Sequence, residues 1–66
     1  MFKLGSTYKH VNCLDICFKL HSIKQKENGD IELKGLWLNQ HYDMIPICED
    51  VIVVTKDRVK QWKEIN

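Results

Sequence analysis

The chain contains no alanine, a single arginine (Arg58), a single proline (Pro46) and only three glycines. Without alanine, and with Val, Ile, Thr, Tyr, Phe and Trp well represented, local preference favours sheet over helix. Three scattered glycines leave no glycine-rich loop to cradle a phosphate. No apolar run approaches the roughly 20 residues that span a bilayer, and the start, Met1-Phe-Lys-Leu-Gly, lacks the basic-then-apolar layout of an export signal. The expected localisation is therefore cytoplasmic. Three cysteines, Cys13, Cys17 and Cys48, cannot all pair within one chain, so reduced thiols are expected. A strong charge of either sign is also missing. The net charge is +1, with residues 1–34 carrying six bases against four acids and residues 35–66 four against five. Such a balance provides no strong field for nucleic acid. With Lys and Ile abundant and Arg nearly absent, the composition is that of an AT-rich genome, which suggests a phage or a low-GC bacterium as source.

Sixty-six residues make one domain, 1–66, near the lower size limit for folding without a staple. What the chain does have is a long hairpin signal from Leu14 to Asn39. Leu14, Ile16, Phe18 and Leu20 alternate with polar or small residues, and Ile31, Leu33 and Trp37 do so after Asn28-Gly29, as half-buried strands require. Asn-Gly predicts a two-residue type I′ turn, because it needs positive φ at both central positions. That turn pairs Glu27 with Asp30, Lys26 with Ile31, Lys24 with Leu33 and Leu20 with Trp37. The apolar set Leu14, Ile16, Phe18, Leu20, Ile31, Leu33 and Trp37 is then the expected core face. The other face carries Ile23, Leu36 and Leu38 beside Cys17 and His21, and Gly35 is the expected bulge or bend.

Around this hairpin, Ser6–Val11 is the expected first strand, anchored by Tyr8, with Gly5 a turn and Phe2 and Leu4 covering one side. Residues 40–50 read as a loop with at most one edge segment, since Pro46 excludes a central strand. Val51-Ile-Val-Val reads as a strand buried on both sides. Thr55 is placed as the cap of a helical turn, with Val59 and Trp62 on one face and a short closing strand at Lys63–Ile65.

This order resembles the SH3-like small β-barrels, including the Tudor and KOW types, in which about five bent strands close and a short 3₁₀ turn precedes the last. The resemblance is architectural and covers most of the chain. The expected fold is thus all-β, a small five-stranded SH3-like barrel with a short helical turn near the C-terminus. The structural alternative is a three-stranded antiparallel sheet with a C-terminal helix.

Candidate chemistry is sparse. Two cysteines four residues apart on an extended strand lie roughly 13 Å apart, too far to share an ion bonded near ~2.3 Å, so no metal and no cofactor is expected. Cys17 and His21 are separated by a similar distance, and the carboxylates show no paired spacing, so no enzyme activity is expected. Tyr8, Trp37, Tyr42 and Trp62 could line an aromatic cage for a cation, against the simpler assignment of both tryptophans to the core. The leading expectation is a binding module that contacts another protein, or a second copy of itself, through His21, Ile23, Lys34, Leu36, Leu38, His41 and Tyr42. Exposed apolar area on a small domain is otherwise hard to account for. In keeping with its size and composition, it would be a small phage-encoded accessory or host-modulating protein. The competing expectation is a weak nucleic-acid binder using Lys9, His10, Lys19, Lys24 and Lys26 in the Tudor/KOW manner.

Overall fold

The computed structural model describes residues 2–13 and 15–65. Five strands, β1 (Thr7–His10), β2 (Ile16–Gln25), β3 (Ile31–Asn39), β4 (Ile45–Val54) and β5 (Trp62–Glu64), form one antiparallel sheet in the order β4-β3-β2-β1-β5. The only helical element among the described residues is a 3₁₀ turn, Val59–Gln61. The fold is therefore all-β, and the alternative with a C-terminal helix does not occur. The sheet does not close: β4 and β5 remain its two edges.

The hairpin is present, but its turn is not the one expected. Lys26 N–H donates to the Asp30 carbonyl at 2.8 Å and Gly29 N–H to the Lys26 carbonyl at 3.1 Å, so the loop has three residues, Glu27, Asn28 and Gly29. Gly29 alone is left-handed, at φ 92°, while Asn28 Oδ1 accepts the Asp30 N–H at 3.0 Å. This is the three-residue hairpin that ends in a glycine bulge. The extra loop residue shifts the register by one, so Gln25 pairs with Ile31 and Ile23 with Leu33. A bulge between Leu20 and Ser22 adds a second shift, so Leu20 lies opposite Gly35 and Phe18 opposite Trp37. The physical reason is clear from the partners. The expected pairing set Lys24 against Leu33, whereas the observed one sets Ile23 there and turns Lys24 outward to Glu32. Because the two shifts sum to an even number at the base of the hairpin, Phe18 and Leu20 keep the core face.

Tyr8, Phe18, Leu20, Ile31, Leu33 and Val54 form the core, with Phe2, Trp37, Ile52, Val59 and Trp62 packed against it. Each fully buried large side chain contributes about 1.5–3 kcal/mol. Ile16 is only half-buried, and Leu14 lies outside the described residues. The bulge falls at the ladder step of Gly35, as expected, but its extra residue, His21, is on β2: Gly35 pairs with Leu20 and Lys34 with Ser22, and the missing Cβ of Gly35 leaves room for the Phe18 ring and the Lys19 carbonyl. At the N-terminus Phe2 meets Tyr8 edge-on at 4.8 Å and Gly5 turns at φ 83°, but Leu4 points to solvent. Ser6 Oγ donates to Glu64 Oε2 at 2.8 Å and Lys3 Nζ lies 3.4 Å from Glu64 Oε1, which ties this segment to β5. The Ser6 hydroxyl first, then Lys3, holds the Glu64 carboxyl below its ordinary value.

Three further expectations are corrected on the C-terminal side. The loop expected over residues 40–50 gives way to strand from Ile45, so that the strand expected at Val51-Ile-Val-Val is the second part of the ten-residue β4; Pro46 is accommodated because β4 is an edge and its ladder shifts register between Trp37 and Leu38. Val51 and Val53 are about half exposed, at 49% and 51%, so this run is covered on one face only. Thr55 does not cap a helix. Its carbonyl accepts the Arg58 N–H at 2.8 Å in a turn, and the 3₁₀ segment starts from Arg58 without a side-chain cap. Val59 and Trp62 do share the core side, as their spacing implied.

Candidate functional site

The register sorts every side chain onto one of two faces. The core face carries Phe18, Leu20, Leu33 and Ile31. On the outer face the rows across β2, β3 and β4 run Cys17–Leu38–Pro46, Lys19–Leu36–Glu49, Ser22–Lys34–Val51 and Lys24–Glu32–Val53.

This arrangement separates the expected partner-binding residues. Leu38 is only 7% exposed and packs beside the fully buried Cys17, so it belongs to the interior of a small outer cluster. Cys17 Sγ lies 3.5 Å from Met44 Sδ and 3.9 Å from the Leu38 carbonyl oxygen. Met44 reaches that position because Asp43 and Met44 both take positive φ, 51° and 59°, in a turn closed by Ile45 N–H to the Tyr42 carbonyl at 3.0 Å. Two consecutive positive φ values are the backbone feature first expected at Asn28-Gly29. Leu36 is half-buried on the outer face and Lys34 is exposed there. Ile23 is moved by the bulge to the opposite side, beside Leu33, and His21 sits exposed at the bulge itself. His41 is exposed with Nε2 2.7 Å from Asp15 Oδ1, and Tyr42 projects from the same loop with 67% of its surface open.

Sequence reasoning missed the largest run of open apolar surface. It lies along β4, where Ile45, Ile47, Val51 and Val53 are each about half exposed. The two halves of this edge strand differ. The first carries Pro46, the register shift and Glu49-Asp50, which are features that hinder pairing with another strand. Asp50 also accepts the Val51 N–H through Oδ1 at 2.8 Å and the Trp37 indole N–H through Oδ2 at 2.9 Å. The second half, Val51–Val54, has no charged residue and no proline. The missed signal was the alternation of Val51 and Val53 with Ile52 and Val54, which reads equally as a buried strand when no partner sheet is known.

The remaining candidates fall into place by packing. Tyr8 is core and Tyr42 lies on the β3–β4 loop, so the four aromatics do not form a cage. Trp37 and Trp62 do approach, with ring centroids 6.3 Å apart, and with His10, Ile52, Arg58 and Gln61 they line a cleft of about 200 Å³. His10 is engaged there. Its Nδ1 accepts the Asn12 N–H at 3.1 Å, which leaves the proton on Nε2 to be donated to Gln61 Oε1 at 3.1 Å. Lys26 pairs with Glu32 at 3.8 Å. Lys9, Lys19 and Lys24 stand on the outer face with Lys34 and Lys63.

Among the described residues no three His, Cys, Asp or Glu side chains gather where they could hold a metal, and no helix is long and apolar enough to cross a membrane. Burial pushes the Cys17 thiol above its ordinary value, so its nucleophilic thiolate is scarce. Cys48, by contrast, is exposed on β4. Alkylation at neutral pH is therefore expected to label Cys48 at least ten times faster than Cys17, which should react only on unfolding; peptide mapping after a timed iodoacetamide pulse reads this directly. No family model matches the chain, and no curated protein or solved structure matches it significantly.

Proposed function

We propose that the chain is a non-enzymatic, cytoplasmic binding module of the SH3-like small-barrel type that contacts another polypeptide by adding a strand to β4. The observation that carries this reading is the open second half of β4, where Val51 and Val53 present about half of their surface along an unpaired edge. Strand addition uses two resources that such an edge supplies together. Main-chain groups give affinity and alternate side chains give selectivity. The barrel-type assignment is supported by the five antiparallel strands and by the 3₁₀ turn that precedes β5. A small accessory or host-modulating protein, of phage type by its composition, fits a domain whose whole surface is sheet, edge and loop. A peptide-display selection tests the reading. The selected peptides should be extended and rich in alternating β-branched residues, and Val53→Lys should reduce their retention at least tenfold. Peptides that bind the Val53→Lys chain undiminished would overturn it.

One observation favours a second reading, nucleic-acid binding. The register sets Lys9, Lys19, Lys24, Lys34 and Lys63 on the outer face against Glu32 and Glu49, a local excess of positive charge that the near-neutral total conceals. Retention on an immobilised oligonucleotide that falls steeply with salt would support it, and elution at the lowest salt would refute it.

A further inference from the structure

We infer that the strand accepted by β4 is the β4 of a second copy, paired antiparallel about Ile52. This rests on the strand-adding reading above and names its occupant. The argument begins with charge. The segment Glu49-Asp50-Val51-Ile52-Val53-Val54-Thr55-Lys56-Asp57-Arg58 is acidic at one end, apolar in the middle and, through Lys56 and Arg58 against Asp57, basic at the other. An antiparallel copy of itself therefore sets apolar residues against apolar ones along β4 and brings its acidic end to the basic turn that follows the strand, so no other chain needs to supply the complement.

Symmetry then limits the register. A two-fold axis that relates two edge strands of one continuous sheet stands perpendicular to it and keeps each face on its own side. Directly opposed residues must therefore share a face, which restricts the axis to a residue position. Centred on Val51, the pairing would set both carboxylates of each copy, Glu49 and Asp50, against apolar neighbours, Val53 and Ile52, whereas the register centred on Ile52 does so for Asp50 alone. Centred on Val53, only Ile52, Val53 and Val54 of each copy would pair before β4 ends. Centred on Ile52, it opposes Val51 with Val53, Ile52 with Ile52 and Asp50 with Val54, and it brings the turn after β4, which carries Lys56, to the end where the partner copy's Glu49 and Asp50 stand. Only this register joins the four half-exposed valines into one strip on the outer face.

The same geometry sets the strength. The Asp50 carboxylate already accepts the Val51 N–H at 2.8 Å, a bond that pairing would have to exchange. The end of β4 at Val54, two residues beyond Ile52, confines the symmetric pairing to residues 50–54 of each copy. Such an interface sits at the small end of specific contacts, so the dimer should assemble over the micromolar range rather than be permanent.

Sedimentation equilibrium of the full chain from low micromolar to millimolar concentration tests this, with circular dichroism to show that each variant is folded. The mass should double with concentration, Val53→Lys should remain monomeric throughout, and Lys56→Glu should weaken association at least tenfold. In a mixed-label sample, nuclear Overhauser contacts should connect the Val51 methyls of one copy with the Val53 methyls of the other. A dimer that survives Val53→Lys, or one whose contacts run through other residues, overturns the inference. A chain that stays monomeric at millimolar concentration also overturns it. In that case selected peptides that still bind β4 leave the strand-adding function standing, whereas their failure to bind ends both.

Discussion

Gly35→Ala is expected to destabilise the protein by about 3 kcal/mol or more, enough to leave a domain of this size largely unfolded at ambient temperature. A Cβ on Gly35 would overlap the Lys19 carbonyl oxygen across the ladder and approach the Phe18 ring to 2.8 Å at Cε2 and 3.0 Å at Cζ. Neither neighbour can retreat cheaply. The Lys19 carbonyl is backbone, and the Phe18 ring is fully buried and packed edge-on against Trp37 at a centroid distance of 4.7 Å. The relevant constraint is space rather than backbone conformation. Urea unfolding followed by tryptophan fluorescence measures the loss, and an alanine variant within about 1 kcal/mol of the parent would show that the Phe18 ring has an alternative position.

The second large effect is at Leu38. Leu38→Asp should cost about 3 kcal/mol or more, because a carboxylate would replace a side chain that is 7% exposed, beside the fully buried Cys17. Nothing near it supplies a positive charge in the same outer row, which contains Cys17 and Pro46. Val53→Lys, at 51% exposed on the edge strand, should by comparison change stability by no more than about 0.5 kcal/mol. The contrast matters for function, because it separates the part of the outer face that holds the fold together from the part open to a partner. If Leu38→Asp were as stable as Val53→Lys, the cluster of Cys17, Leu38 and Met44 would be a surface feature and not a second, smaller core.

The two effects also show where sequence reasoning was sufficient. That Phe18, Leu20, Ile31 and Leu33 face one interior follows from their period of two, and the structure buries all four. The functional surface was less legible. Ile23, Leu36 and Leu38 looked like one apolar face because the alternation was counted across an unbroken strand. The bulge at His21 moves Ile23 to the other side, and the Asp43-Met44 turn lowers Met44 onto Cys17 beside Leu38, leaving Leu36 half-buried between them. Neither event has a local sequence signature as strong as Asn-Gly. Even Asn-Gly was read one residue short, since the same pair serves a two-residue turn with both residues left-handed or a three-residue loop with only the glycine so. The choice depends on which side chain then meets Leu33, which is a property of the assembled sheet.

The sequence by itself determined that this chain is a small sheet protein: the absence of alanine, the alternating apolar residues and the glycine-closed hairpin leave little room for another class. Only the tertiary structure decided which strands are edges. Val51-Ile-Val-Val has the composition of a strand buried on both faces, and it would be one if β4 had neighbours on both sides and a layer above it. The order β4-β3-β2-β1-β5 gives it one neighbour and leaves Val51 and Val53 open. Edge position is a matter of how distant segments pair: Pro46 excluded a central strand for its own segment, but nothing within Val51-Ile-Val-Val carried that signal to residues 51–54.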